Sequence, residues 1–149
     1  MPTGLTEGTR VLLDTPVFIY HLEDHPRYGA AAESILRTVE EGRLQAVMST
    51  LVLTELLVPL HAAGQKEQAE ELKRRLCAFP NLSVMMMTAE IASAASRLRA
   101  LHGLRTPDAI HAATALEASA EVIITNDRDF LRLQGEELHI WLFDRRQGG

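Results

Sequence analysis

Apolar residues follow two rhythms along this chain, and the alternation between them predicts its architecture. Val11-Leu12-Leu13, Gln45-Ala46-Val47-Met48, Leu82–Met87 and Val122-Ile123-Ile124-Thr125 are short, nearly unbroken apolar runs, the pattern of strands covered on both faces. Leu138–Phe143 reads as a shorter edge strand. The segments between them repeat at helical spacing. Phe18, Ile19 and Leu22 mark a short helix broken by His25-Pro26-Arg27, and Ala31, Ile35 and Val39 place a second over Ala30–Glu41, stopped by Gly42. Ser49 or Thr50 caps an apolar helix through Leu60, which Pro59 is expected to kink or end early. Ala69, Leu72, Leu76 and Phe79 give Lys66–Ala78 a core face. Ile91, Ala94, Ala95, Leu98 and Leu101 do the same for a helix that Thr88 opens and Gly103 ends. Thr106-Pro107 starts a last helix, through Ala118. The Met85–Met87 run is read as core filling. Strands alternating with helices predict an α/β three-layer sandwich around a mostly parallel sheet of four to five strands. Met1–Thr9 reads as a loose start and Arg145–Gly149 as a frayed tail, so residues 1–149 are expected to form one domain with its core at about 10–143.

Acids interrupt this pattern at places where open α/β sheets bind ligands. Asp14 follows directly on the first strand, with Thr15 able to cap the next helix and Pro16 suited to its first position. Glu55 has Leu51, Val52, Val58 and Pro59 at i−4, i−3, i+3 and i+4. An ionised carboxylate in that company calls for a metal or a cationic partner from elsewhere in the fold. Asp108 lies in the first turn of the last helix, where the helix dipole favours an acid, among small residues that permit close packing. Asp127 and Asp129 follow the fourth strand, the place equivalent to Asp14, with Thr125 and Asn126 beside them as hydrogen-bond donors.

Each acid alone has an ordinary explanation: an edge position on a helix, a dipole partner, a polar turn. Their expected convergence on one edge of the sheet is more specific. Packed carboxylates repel and raise one another's pKa unless a cation holds them. Oxygen-only ligands select Mg²⁺ or Mn²⁺ over zinc, and such ions bind through few carboxylates plus substrate phosphates. Arg105, Arg128 and Arg132 flank the acids as candidate phosphate contacts, with solvated surface arginines as the plainer reading.

Composition narrows the choice. Fifteen basic against 20 acidic residues give a net charge of −5, against a passive nucleic-acid-binding module but compatible with a nuclease whose acids carry cations. The single Cys77 excludes an internal disulfide and a Cys-rich zinc site, and fits a reducing cytoplasm. With no leader pattern and no run of 18 apolar residues, the chain is expected to be neither secreted nor membrane-spanning. His21 and His25 are separated by a helix break, and His61, His102 and His139 lack sequence partners; His111, one turn from Asp108, reads as a core or surface residue, with support of the acids as the alternative. There is no glycine-rich phosphate loop and no nucleophile elbow. Aromatic content of 5% argues against extensive base stacking.

Four segments, Val11–Tyr20, Ser49–Leu56, Thr106–Leu116 and Ile123–Phe130, resemble in order the motifs of PIN-domain ribonucleases, especially VapC-type toxins of prokaryotic toxin–antitoxin pairs. The resemblance spans about residues 10 to 143. It implies a PIN-like fold and an acidic quartet of Asp14, Glu55, Asp108 and Asp127. In that reading Asp14, Asp108 and Asp127 hold one or two Mg²⁺ or Mn²⁺ ions, and Glu55 orients the attacking water. Thr15, Thr125, Asn126, Asp129, Arg105 and Arg128 position the acids or the substrate, and Asp129 can share or take the part given to Asp127. Pro16 departs from the Asn, Ser or small residue usual after the first Asp-hydroxyl pair. The implied function is a cytoplasmic endoribonuclease toxin, homodimeric and blocked by a cognate antitoxin. The alternatives are a PIN nuclease of RNA processing or DNA structure cleavage, and a non-catalytic PIN-like interaction module. A receiver domain or a haloacid-dehalogenase-like phosphatase would need an acidic pair before the first strand's acid or an Asp-x-Asp after it, and Asp14-Thr15-Pro16 offers neither.

Overall fold

The computed structural model describes residues 1–145. Five strands, β1 (Arg10–Leu13), β2 (Gln45–Ser49), β3 (Leu82–Met85), β4 (Val122–Thr125) and β5 (His139–Leu142), pair in the order β3-β2-β1-β4-β5. Every pairing is parallel, with Leu12 opposite both Val47 and Ile123. Alternate residues of each strand serve opposite faces, as the two-residue strand period requires. Val11, Leu13, Ala46, Met48 and Ile124 pack with helices α1 (Thr15–Leu22), α2 (Gly29–Glu40), α3 (Leu51–Ala62) and α4 (Lys66–Cys77). Leu12, Val47 and Ile123 pack on the other side with α5 (Ala89–His102) and α6 (Thr106–Glu117). The result is the three-layer sandwich expected, with β1 at its centre.

Several local expectations change. Asp14, not Thr15, caps α1: its Oδ1 accepts from the Thr15 backbone N–H at 2.9 Å, and Thr15 is the first helical residue. Ser49 rather than Thr50 serves α3, accepting from Leu51 N at 3.1 Å. Pro59 neither ends α3 nor shortens it, because it falls in the last turn, where its missing N–H forfeits a single bond. Met86 and Met87 are 74% and 51% exposed and fill no core, since β3 stops pairing at Met85. Leu101, expected on the core face of α5, is exposed as well. The start of the chain forms no helix or strand, yet it is held down: Trp141 Nε1 donates to Thr3 O at 3.0 Å and Gly8 N to Arg43 O at 2.8 Å. Of the expected tail, Arg145 stacks on Trp141 with its guanidinium 4.1 Å from the ring centre; residues 146–149 lie outside the described residues.

His102 does find a partner. Glu136 accepts from Arg97 Nη2 at 2.7 Å and lies 2.9 Å from His102 Nε2, and these contacts, Arg97 first, hold its carboxyl down at about 2. A depressed carboxyl pKa contributes stability that is complete above the unfolded value and lost as the pH falls through the folded one. With Arg97 about half exposed, solvent screening limits the contribution to about 1 kcal/mol. Glu136→Gln should therefore lower urea-unfolding stability by about that much at neutral pH, a difference that shrinks between about pH 5 and pH 2.

Candidate active site

The carboxyl ends of β1 and β4 lie side by side, and Asp14 and Asp127 follow them. Thr125, fully buried at the end of β4, joins the two. Its hydroxyl donates to Asp14 Oδ2 at 2.7 Å and accepts from the Asp127 backbone N–H at 3.0 Å. Asp127 in turn caps the short 3₁₀ turn Arg128–Arg132, accepting from Asp129 N at 2.9 Å, and Phe130 anchors that turn in the core. Asn126 fixes the other side of the loop. Its Nδ2 donates to the Tyr20 hydroxyl at 3.0 Å, and its Oδ1 accepts from Asp144 N at 2.8 Å.

Asp108 enters from the first turn of α6 and is buried. The alanines Ala109, Ala112, Ala113 and Ala115 let that helix sit tightly on the sheet. Carboxylate oxygens of Asp108, Asp127 and Asp129 all come within 4.8 Å of one another. Arg105 lies across them, with Nε 3.4 Å from Asp108 Oδ2 and Nη2 3.9 Å from Asp127 Oδ2, while its side chain stays 70% exposed. Glu55 and Asp14 meet instead at His111, whose Nε2 is 3.0 Å from Glu55 Oε1 and 3.5 Å from Asp14 Oδ1. Asp14, Glu55, Arg105, Asp108, His111 and Asp127 line a cleft of about 330 Å³.

Glu55 differs from its expected environment. Its side chain is 39% exposed at the cleft mouth, because Val58 and Pro59 beside it face solvent rather than core. The partner from elsewhere that it called for is an imidazole. His111 is buried as a core residue would be, yet it belongs to the site, and nothing local in the sequence marks it beyond lying one turn after Asp108. Two of the flanking arginines stay out of the cluster's centre. Arg128 is exposed and makes no ion pair among the described residues, and Arg132 is engaged by Gly103 O at 3.1 Å and Asp129 Oδ1 at 3.5 Å.

The electrostatics follow from this geometry. Burial pushes the Asp14 carboxyl up, against the opposing pull of His111, Thr125 and the Thr15 N–H. Burial also raises Asp108, helped by Asp127 and opposed by Arg105. Glu55 is held below the usual carboxylate range, chiefly by the hydrogen bond from His111. A cluster in which Asp14 and Asp108 are pushed up, with one arginine leaning over Asp108 and Asp127, is short of positive charge. Its donors are all carboxylate oxygens on the cleft side, a set that fits Mg²⁺ or Mn²⁺ rather than zinc.

Comparison with known proteins agrees with this picture. No curated protein matches the sequence significantly. Among solved structures, the chain is similar to one in a toxin–antitoxin complex from Klebsiella pneumoniae (23% identity, TM-score 0.62, covering 86% of this chain and 94% of that one). It is similar also to chains of VapBC2 from Rickettsia felis bound to a promoter DNA fragment (20%, 0.69, 89% and 99%) and VapBC-1 from nontypeable Haemophilus influenzae (21%, 0.69, 91% and 98%). At these identities the likeness is one of fold. The PIN-domain family model matches residues 11–136, a stretch that runs from Val11 in β1 past β4 and holds all five clustered acids, and the chain belongs to the PIN-domain family.

Proposed function

We propose that this protein is a Mg²⁺- or Mn²⁺-dependent endoribonuclease, the toxin of a type II toxin–antitoxin pair. The observation that carries the reading is the meeting of Asp14, Glu55, Asp108 and Asp127, from four distant segments, in one cleft at the switch point of the sheet. Asp14, Asp108 and Asp127 hold one or two divalent ions, with Asp129 beside them. A bound ion of this kind supplies positive charge at the scissile phosphate and lowers the pKa of water there.

The chain's own residues do the rest. Thr125 holds Asp14 and the Asp127 backbone in register, and Asn126 fastens the loop to Tyr20. Glu55, ionised at the mouth of the cleft, accepts a hydrogen bond from the attacking water and sets its line of approach. Arg105, tethered among the described residues by contacts of 3.4 and 3.9 Å, offers its guanidinium to a phosphate oxygen of the RNA.

An apolar groove of about 630 Å³ between α1, α3 and α4 runs beside Glu55, lined by Ile19, Leu22, Leu56, Leu60 and Leu72. Such a surface suits an antitoxin segment that covers the cleft, and the toxin–antitoxin origin of the structural neighbours supports that partner. A homodimer working in the cytoplasm completes the proposal.

Labelled total RNA incubated with the purified protein should be cut into discrete fragments in Mg²⁺ or Mn²⁺ and left whole in EDTA. Cutting of DNA flaps or single-stranded DNA in place of RNA would move the chain to the nucleic-acid-processing branch of its family. Binding also predicts a stability readout. At one hundred times its dissociation constant, the ion should add about 2.7 kcal/mol. That is a rise in melting temperature of about 5–10 °C for a chain of this size, readable by calorimetry.

A further inference from the structure

We propose that His111 is a positioning residue of this site, its Nε2–H linking Glu55 to Asp14 so that both carboxylates are oriented before cation or substrate arrives. The proposal rests on the nuclease reading above and adds a residue to it. His111 Nε2 is 3.0 Å from Glu55 Oε1 and 3.5 Å from Asp14 Oδ1. Both neighbours are acceptors, so Nε2 carries a hydrogen in either protonation state of the ring. The ring is 1% exposed, and Nδ1 has no hydrogen-bond partner among the described residues.

An orphaned buried nitrogen is a liability that an apolar side chain would avoid. The buried side of the same helix otherwise carries Asp108 of the cluster, Thr114, whose hydroxyl donates to Ile110 O at 2.7 Å, and alanines that pack on the sheet. What histidine adds there is one hydrogen aimed between two acids carried by different elements, Asp14 on the end of β1 and Glu55 on α3. Glu55 is partly exposed on a flexible side chain, so without that bond its carboxylate would sample several rotamers at the cleft mouth. Orienting contacts behind ion-binding residues commonly change ion affinity or rate by 10- to 100-fold.

The test compares His111→Leu, which fills the space without a donor, with His111→Gln, which keeps an N–H near the Nε2 position. Three quantities are read: kcat and KM on RNA, the Mn²⁺ dissociation constant by titration calorimetry, and the ion-free melting temperature. His111→Leu should stay folded with an unchanged or higher melting temperature. Its kcat should fall about 10- to 100-fold at unchanged KM, and its Mn²⁺ affinity about tenfold. His111→Gln should recover most of both. Wild-type kcat and Mn²⁺ affinity in folded His111→Leu would overturn the proposal. So would equal losses in both variants that track a lowered melting temperature, since that is the mark of a packing role. Should the wild type cut no RNA, the nuclease reading falls by itself, and the Mn²⁺ titrations alone decide the part of His111.

Discussion

Asp14→Asn and Asp108→Asn should each slow divalent-ion-dependent RNA cleavage by about a thousandfold or more, while the protein stays folded. Losing a carboxylate that holds the ion removes several kcal/mol of transition-state stabilisation, and each 1.4 kcal/mol is a factor of ten in rate. Stability should move the other way. Both carboxyls are raised in the folded state, mainly by burial. A raised acid favours the fold at low pH and loses that advantage as the pH climbs from the unfolded to the folded pKa, so at neutral pH each ionised acid works against folding. Asparagine at position 14 still offers an oxygen to the Thr15 N–H. The ion-free variants should therefore melt at or above the wild-type temperature, and they should lose the rise that Mg²⁺ or Mn²⁺ gives the wild type. Wild-type cleavage by either variant would remove the assigned chemistry.

Phe130→Ala should cost about 3–5 kcal/mol of unfolding free energy, a large share of what a domain of this size has. The ring is fully buried against the α5–α6 side of the sheet, with Leu133 beside it. It also anchors the turn whose first backbone N–H groups fix Asp127 through the Asp129 N–H. Cleavage measured well below the melting temperature should drop as well, because Asp127 and Asp129 lose the support that holds them near Asp108. Phe130→Leu, keeping most of the volume, should cost less than about 1.5 kcal/mol and retain most activity. Urea titration and cleavage assays on the two variants separate the loss of fold from the loosening of the loop.

Much of this could be read in the chain because strands buried on both faces announce themselves as unbroken apolar runs. Val11–Leu13 and Val122–Thr125 located β1 and β4, and with them the places of Asp14 and Asp127. The helix around Glu55 was legible, but its surroundings were not. A window of four residues either way reports only the helix's own neighbours, and the residue that matters, His111, is 56 positions away. Helical spacing likewise assigned Leu101 a core role, yet it is 64% exposed. A methionine run cannot reveal where a neighbouring strand stops, which is why Met86 and Met87 emerged exposed. Thr125, whose hydroxyl serves both Asp14 and Asp127, was visible as a neighbour of the site but not as its hinge pin.

The placement of β1 between β2 and β4 has a consequence for how the protein is made. The strand translated first waits for a partner that begins at Val122, so the ribosome releases more than a hundred residues before the two halves of the pocket can close on each other. A growing polypeptide carries Asp14 without Asp127, so the acidic pocket comes into being only at that late stage, once nearly the whole chain has been made.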